Sequence, residues 1–212
     1  MTSKNLEIYK ILDEMHPDAG CELNHLNPFE LIVAVILSAQ CTDKRVNIVT
    51  QDLFKVVKTP EDLVSLDREE LERIIHPCGF YHNKAENLQK MAKSVIELYH
   101  GEIPDNREDL MRLAGVGRKT ANVVMAEAFG KNAIAVDTHV FRVSNRIGLV
   151  NEETPEATEL ALMKAFDEEK WSHLHHLLIF HGRYTCDARR PKCDQCGLKK
   201  YCKYFKKEQN LK

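Results

Sequence analysis

The chain has 212 residues, of which 43% are hydrophobic and 29% charged, with a formal net charge of −2 and a pI near 6.6. This length suffices to bury a substantial core without disulfides, and the composition excludes the disordered and fibrous classes. The net charge argues against a protein that coats nucleic acid by bulk charge. The longest apolar run, residues 31–37, is too short to cross a bilayer, so we expect a cytoplasmic protein without a membrane partner.

Helical patterns dominate from the beginning of the chain. The apolar residues between Ile8 and Met15 recur on one helical face, which predicts an amphipathic helix over residues 4–15. Asn27, Pro28 and Glu30 then combine an N-cap, a first-turn proline and a capping-box acid. These three residues predict the start of a second helix.

The segment Leu31–Ala39 after this start is apolar on every side. It predicts a buried central helix, although its β-branched residues would also suit a buried strand. Further helix starts are marked at Pro60 and at Thr154-Pro155, and residues 88–98 fit a longer helix. Together these patterns predict an all-α fold with short connections and about ten helices. Composition alone places no domain boundary.

A short glycine turn separates two further helical patterns. Residues 109–113 end one helix, Gly115 and Gly117 turn the chain, and apolar residues from Ala121 onward mark the next helix. Glycines permit a tight turn and a close approach, and a helix start offers unpaired N–H groups and a positive dipole end. This helix-hairpin-helix can bind phosphate, with a plain helix-helix turn as the alternative.

Lys119 lies in the first turn of that second helix. The dipole there opposes a cation and favours the unprotonated, nucleophilic amine, although a surface charge is the plain alternative. Asp137 follows eighteen residues later, before an apolar stripe formed by Val140, Val143 and Ile147. This position predicts a helix N-cap, and a capping carboxylate is also rigidly aimed.

Four of the seven cysteines lie within seventeen residues in a C-x6-C-x2-C-x5-C pattern, at Cys186, Cys193, Cys196 and Cys202. So close a set indicates one site with four thiolates, because a reducing compartment disfavours disulfides. Tetrahedral zinc is one candidate occupant. Zinc ribbons usually pair two C-x2-C units, whereas this segment has one, so the uneven spacing favours a [4Fe-4S] cluster.

Other cysteines, histidines and cations carry weaker signals. Cys21, Cys41 and Cys78 are expected to be buried residues with inert thiols. The histidines of residues 173–181 spread over several helical faces, so we expect packing or surface roles for them. Residues 183–207 hold nine Lys and Arg against two acids, as in a solvated tail or a phosphate-binding patch.

Together these motifs resemble the endonuclease III family of DNA glycosylases, within the wider helix-hairpin-helix glycosylase superfamily. The resemblance is carried by segments Leu37–Asp43, Leu113–Ala121 and Val136–Val143 and by the four-cysteine segment. Their order and spacing span nearly the entire chain, so the match is specific.

The resemblance implies two helical domains with a DNA-binding cleft between them. It implies a domain of about six helices with the hairpin at residues 21–132, a cluster domain at residues 1–20 and 133–205, and a basic tail at residues 206–212. The implied partner is damaged double-stranded DNA. The implied state is a monomer associated with the bacterial nucleoid.

When the family's functional residues are matched to this sequence position by position, the resemblance implies that Lys119 is the nucleophile and that Asp137 is the catalytic carboxylate. The implied cluster ligands are Cys186, Cys193, Cys196 and Cys202. The implied DNA contacts are Gln40, Phe80, Gly115, Gly117, Arg118, Arg189, Arg190 and Lys192.

Gln40 and Phe80 are expected to fill the gap that a damaged nucleotide leaves in the duplex. The Gln40 amide can hydrogen-bond the orphaned base, and Phe80 follows a glycine in a turn from which it can wedge between bases. Ordinary packing under the loop is the alternative for Phe80. Close relatives often carry leucine in place of Phe80, so the identity of the gap-filling side chain stays open. The family commonly has proline where this chain has Ala114, a difference that can loosen the hairpin but removes no N–H donor.

The implied activity is removal of oxidised or saturated pyrimidines, followed by strand cleavage through a Schiff base and β-elimination. The adenine-mismatch glycosylase of the same superfamily needs a glutamate in the central helix, whereas residues 31–40 contain no acid. The adenine-mismatch glycosylase also usually lacks the hairpin lysine, which is Lys119 in this chain. A non-catalytic DNA-binding module with a zinc-stapled tail would leave Lys119 and Asp137 without a shared purpose.

Overall fold

The computed structural model describes residues 1–209, and side chains as far as residue 207. Twelve α-helices and no strand occur in this part of the chain, so the all-α prediction is confirmed with two helices more than expected. They are α1 (Ser3–Met15), α2 (Pro28–Leu37), α3 (Asp43–Val56), α4 (Pro60–Ser65), α5 (Arg68–Ile75), α6 (Tyr81–Tyr99), α7 (Arg107–Arg112), α8 (Arg118–Phe129), α9 (Thr138–Ile147), α10 (Pro155–Ala165), α11 (Trp171–Tyr184) and α12 (Lys203–Gln209). None of the described helices is both long and apolar enough to span a bilayer.

The chain separates into two compact units. The hairpin unit, Glu22–Lys131, contains α2 to α8. The terminal unit combines Met1–Cys21 with the chain from Asn132 onward and contains α1 and α9 to α12. Within the expected basic tail, residues 206–209 belong to α12, and residues 210–212 lie outside the described residues.

Helix α2 runs through the interior of the hairpin unit. The side chain of Asn27 caps it by accepting a 2.9 Å hydrogen bond from the N–H of Glu30. The Glu30 carboxylate in turn accepts from the N–H of Leu26, at 2.8 Å, instead of from Asn27 as a capping box would require. All residues of Phe29–Leu37 are buried, which confirms the central helix and excludes a buried strand.

The end of α2 differs from the expectation. The helix stops at Leu37 instead of Ala39, because the chain turns there. The Ser38 hydroxyl donates to the carbonyl of Val35 at 2.8 Å, and Gln40 takes a left-handed backbone with φ 54°. Gln40 therefore lies in an exposed turn rather than at the end of the buried helix.

The terminal unit has one apolar core to which both ends of the chain contribute. Ile8 and Leu12 of α1 lie in this core with Val140 and Val143 of α9. Leu198, from the four-cysteine segment, is fully buried in the same core. Burial of each such side chain stabilises the unit by about 1.5–3 kcal/mol.

Candidate active site and cluster loop

The predicted helix-hairpin-helix consists of α7, a short turn and α8. Asn106 caps α7, accepting from the N–H of Asp109 at 3.0 Å. Leu113 and Val116 are buried in the turn, and the N–H of Val116 donates to the carbonyl of Leu113 at 3.1 Å. These apolar residues hold the turn against the unit, while Gly115 and Gly117 are exposed.

The two hairpin glycines serve different needs. Gly115 has φ +77°, and a Cβ added there would lie 3.0 Å from Cβ of Asn87, so the turn requires glycine. Gly117 is the N-cap of α8 with φ −91°, and a Cβ added there would meet nothing within 4 Å. Neither the backbone angle nor a neighbouring atom of the protein therefore requires glycine at position 117. Open space lies in front of the start of α8 at this point.

The start of α8 offers donors without partners. The N–H groups of Gly115, Gly117 and Lys119 donate to no described residue of the hairpin unit, and α8 has neither a side-chain cap nor an acid in its first turn. The side chain of Lys119 is exposed and unpaired within this unit. Unpaired N–H groups and the positive end of the helix dipole suit an anion at this position.

Asp137 is the N-cap of α9, as predicted. Its Oδ1 accepts a 2.8 Å hydrogen bond from the N–H of Val140, and the stripe of Val140, Val143 and Ile147 is buried beneath it. The neighbouring imidazole of His139 is half-buried, and burial lowers its pKa although Asp137 acts in the opposite direction. The carboxylate is therefore held by a rigid helix start next to an imidazole that favours its neutral form.

Gln40 and Phe80 share an uncommon backbone geometry. Their φ angles are 54° and 48°, and among described non-glycine residues only His100 also has a positive φ. Both side chains are exposed, and that of Phe80 is 66% exposed. This exposure excludes the alternative that Phe80 is packed beneath its own loop.

The sequence analysis did not identify Lys84, whose ammonium links these two turns. The ammonium of Lys84 is buried and donates to the carbonyls of Leu37 (2.9 Å), Ala39 (2.8 Å) and Cys78 (2.9 Å). A lysine in register with the apolar stripe of α6 was the signal that could have identified it. Cys78 is buried as expected, whereas the expectation is wrong for Cys21 and Cys41, which are partly exposed and lie in connections between helices.

The four clustered cysteines line one pocket of the terminal unit. Three of the sulfurs face N–H donors. Arg146 Nη1 lies 3.6 Å from Cys186 Sγ, and the N–H groups of Leu198 and Phe205 lie 3.4 Å from Cys196 Sγ and Cys202 Sγ. Such donors stabilise sulfur in its thiolate form.

Burial raises the pKa of the Cys193, Cys196 and Cys202 thiols, and neighbouring thiolates add to the effect. Four thiolates in this pocket therefore need a cationic centre to neutralise them. Convergent sulfurs, N–H donors and apolar walls fit a tetrathiolate metal centre, either zinc or an iron-sulfur cluster.

Two arginines of α9 hold this loop, and sequence reasoning did not identify them. Arg146 donates to the carbonyls of Asp187 (2.7 Å) and Ala188 (2.8 Å), and its guanidinium lies 4.6 Å from the centre of the Tyr204 ring. Arg142 donates to the carbonyls of Gly182 (2.9 Å) and Cys186 (3.1 Å). Their spacing of one helical turn was the available signal.

His181 has a polar role beyond the packing that we expected. It is buried, with Nε2 3.6 Å from Cys196 Sγ and Nδ1 3.0 Å from Nε2 of His16. Burial lowers the pKa of His181 to about 4, with a further contribution from His16. The imidazole thus stays neutral and can donate one N–H to the sulfur.

The loop after Cys186 presents its cations to solvent. Asp187 Oδ1 accepts from the N–H groups of Arg189 (2.9 Å) and Arg190 (3.0 Å), which folds the loop into a tight turn. The side chains of Arg189, Arg190 and Lys192 are exposed. Their arrangement is that of a basic surface and suits an anionic partner.

Known proteins share these features over nearly the full chain. A family model described as the HhH-GPD superfamily of base excision DNA repair proteins matches residues 33–168, and one described as the iron-sulfur binding domain of endonuclease III matches residues 186–202. Endonuclease III of Bacillus subtilis (strain 168) is 52% identical over 193 residues, or 91% of this chain and 88% of the relative.

Two solved structures are also similar to this chain. They are a non-covalent endonuclease III–DNA complex and a trapped endonuclease III–DNA covalent intermediate, with TM-scores of 0.92 and 0.93 and 49% identity. Each covers 99% of this chain, and the chain covers 100% and 99% of the two solved chains.

These similarities decide between the candidate centres. The matched iron-sulfur domain begins at Cys186 and ends at Cys202, so the predicted [4Fe-4S] cluster is confirmed in preference to zinc. The likeness to DNA complexes agrees with the phosphate-binding character of the hairpin and with a DNA partner. The chain therefore belongs to the endonuclease III family within the HhH-GPD superfamily of base excision DNA repair proteins.

Proposed function

We propose that Lys119 and Asp137 carry out the base excision of this enzyme, with oxidised or saturated pyrimidines in double-stranded DNA as substrates. Family membership supplies the two activities, DNA glycosylase and abasic-site lyase. The observation that carries the residue assignment is the exposed amine of Lys119 at the uncapped start of α8, directly after the hairpin.

The reaction requires the damaged nucleotide to leave the stack, because its C1′ is inaccessible within a duplex. The unprotonated amine of Lys119 attacks C1′, a C–N bond forms, and the glycosidic bond breaks with its electrons leaving on the base. Opening of the sugar ring gives a Schiff base. This group acidifies the C2′ protons, and loss of one expels the 3′ phosphate by β-elimination.

Asp137 assists in two ways. Its carboxylate helps to move the proton that the attacking amine loses, and it stabilises the positive charge that develops on the sugar. Its position as N-cap of α9 supports this role, because the cap hydrogen bond limits the carboxylate to one direction.

DNA binding is proposed for groups that offer N–H donors or cations. The hairpin supplies Gly115, Gly117 and Arg118, and the loop after Cys186 supplies Arg189, Arg190 and Lys192. Support comes from the N–H groups of Gly115, Gly117 and Lys119, which donate to no described residue of the hairpin unit, and from the exposure of the three loop cations. Contacts of this kind supply affinity that is independent of base sequence.

Gln40 and Phe80 are proposed to occupy the gap in the duplex. Their exposure and their left-handed turns support the proposal.

We further propose a monomer that works on the bacterial nucleoid in the cytoplasm. Its proposed domains are residues 21–132 and residues 1–20 together with 133–205. The two compact units support this division.

Cys186, Cys193, Cys196 and Cys202 are proposed as the four cluster ligands, since their sulfurs line the same pocket. When bound, the cluster fastens the loop by metal-thiolate bonds. No step above needs a change of oxidation state. His181, Arg142 and Arg146 hold the loop through the contacts described above.

The adenine-mismatch alternative is less well supported. The acid nearest to the central segment is Glu30, and its carboxylate is already engaged by the N–H of Leu26. Lys119, which that relative usually lacks, is present and exposed.

Borohydride trapping tests the assignment. Wild-type protein with damaged duplex DNA should give a covalent adduct, and Lys119→Gln should give none while binding DNA with nearly unchanged affinity. Lys131→Gln is the matched control, because Lys131 follows α8 and its ammonium is paired with Asp105 at 2.7 Å. An adduct that persists in Lys119→Gln would show that another residue is the nucleophile. No adduct with wild type would favour a non-catalytic DNA-binding module.

A further inference from the structure

The buried ammonium of Lys84 joins two separate turns of the hairpin unit. Lys84 is 5% exposed, and Nζ donates to the carbonyls of Leu37, Ala39 and Cys78 at 2.8–2.9 Å. An ammonium has three N–H donors, so this arrangement satisfies all of them with backbone oxygens.

These carbonyls lie within three residues before the two left-handed residues, Gln40 and Phe80. The carbonyl of Ala39 belongs to the peptide that leads into Gln40, and Cys78 is separated from Phe80 by Gly79 alone. The backbone N–H of Lys84 also donates to the carbonyl of Phe80, at 3.0 Å. One residue thus ties together the turn that carries Gln40 and the turn that carries Phe80.

Stability alone does not account for a lysine at this position. Lys84 shares a stripe of α6 with buried Leu88, Met91 and Val95, where an apolar side chain would pack without desolvating a charge. A left-handed backbone is strained at a residue other than glycine. Such strain persists only where surrounding contacts enforce it, and it is concentrated at functional sites.

We propose that Lys84 is a positioning residue that holds Gln40 and Phe80 at a fixed separation, so that both enter the duplex together when the damaged nucleotide leaves it. The inference rests on the proposed function. It assigns Lys84 no contact with DNA and no part in the bond-breaking steps. Loss of the ammonium would free the two turns to relax separately, and the gap would then be filled less often.

The proposal predicts a selective defect. Lys84→Met keeps the length of the side chain but removes the donors, and excision of a lesion from duplex DNA should slow by roughly tenfold or more. Excision from single-stranded DNA should change by less than about twofold, because a single strand has no gap to fill. Cleavage at a preformed abasic site should be slowed less than excision, because that nucleotide has no base that could return to the stack. Rates are measured under single turnover at a temperature at which circular dichroism shows each variant folded.

A second readout follows the gap directly. The fluorescence of 2-aminopurine placed opposite the lesion reports whether that base is held or left loose. We expect Lys84→Met to change this signal, and Lys90→Met to leave it as in wild type. Lys90 is the matched control because it lies on the same helix and its exposed ammonium is paired with Glu86.

Lys84→Arg keeps the proposal testable if Lys84→Met does not fold. A planar guanidinium cannot direct its donors at three carbonyls that converge on one nitrogen, so the same selective loss is expected. An unchanged ratio of duplex to single-strand rates in the folded variants would overturn the proposal, as would equal losses on all three substrates. If the proposed function itself were wrong, the wild-type protein would neither excise the lesion nor form the borohydride-trapped adduct.

Discussion

The Oδ1 atom of Asp137 accepts a 2.8 Å hydrogen bond from the N–H of Val140. One carboxylate oxygen is therefore committed to the helix, and the Asp137 side chain has no other hydrogen bond to a described residue of the terminal unit. The same side chain has a structural role and is proposed to have a chemical one. Substitutions that keep the cap can separate the two roles.

Asp137→Asn is expected to fold with almost unchanged stability, because asparagine caps helices as well as aspartate does. It should lose most base-release activity, since an amide cannot take a proton or stabilise positive charge. Thermal melting and single-turnover excision measure the two effects. Asp137→Ala, the control, should lose activity and also about 1 kcal/mol of stability. Normal turnover by the asparagine variant would leave Asp137 with the cap alone.

The two hairpin glycines should respond differently to alanine. Gly115→Ala should lower stability by about 1–2 kcal/mol, because its backbone is left-handed. The nearby Asn87 side chain adds a steric cost. Gly117→Ala should lower stability by less than about 1 kcal/mol, through the poorer N-cap, but should weaken DNA binding, since the added methyl group occupies the open space before α8. Denaturant titration and fluorescence anisotropy with labelled duplex measure the pair. Full DNA affinity in folded Gly117→Ala would show that DNA does not approach this point.

Phe80→Ala should weaken binding to damaged duplex by roughly tenfold or more, because stacking on a base is worth about 1–3 kcal/mol. Gln40→Ala should mainly slow base excision from duplex DNA, with less effect on preformed abasic sites. Both variants are compared on duplex and single-stranded lesions at matched thermal stability. Losses of equal size on the two substrates would reject gap filling for the residue concerned.

The cluster should be visible by colour and by elemental analysis. Purified protein is expected to be yellow-brown, with about four irons per chain. Cys193→Ser or Cys196→Ser should destabilise the region after Tyr184 and increase its proteolysis. Serine at Cys21 should have no such effect, because Cys21 lies outside the pocket. One equivalent of zinc without iron or sulfide, after anaerobic purification, would contradict the cluster.

Alkaline pH should weaken the hairpin unit through Cys78. Burial raises the pKa of this thiol from 9.0 to about 12, with a further contribution from Cys41. A raised pKa in the folded state stabilises the fold below pH 9, and this stability is lost as pH rises from 9 to 12. Unfolding measured over that range should show a decline that Cys78→Ala reduces. An identical decline in the variant would assign the effect to other groups.

Features governed by short-range rules were predictable from the sequence. The caps at Asn27 and Asp137 follow from side-chain chemistry within four residues, and the apolar run of α2 identifies the central helix. The four cysteines were recognisable because their ligand spacing is local. These elements carry most of the candidate site.

Contacts between distant segments were not predictable. The interaction of Lys84 with Leu37 and Ala39, and that of His181 with His16, join residues far apart in the chain. Such pairs depend on how helices pack, which no local pattern specifies. The end of α2 was missed for a similar reason, since Lys84 binds the carbonyls of Leu37, the last residue of α2, and of Ala39 in the turn that follows.

Gly197 lies so close to α1 that an added Cβ would be 2.9 Å from Cγ2 of Ile11, and the adjacent Leu198 is buried with Ile8 and Leu12. During translation, α1 leaves the ribosome before the hairpin unit is synthesised, and this apolar covering is synthesised after that unit. The hydrophobic face of α1 must therefore stay exposed, or be shielded by a chaperone, while the intervening hairpin unit is synthesised. The covering of α1 and the binding of the cluster therefore involve the same loop, because Gly197 and Leu198 lie within the segment 186–202 that matches the iron-sulfur domain.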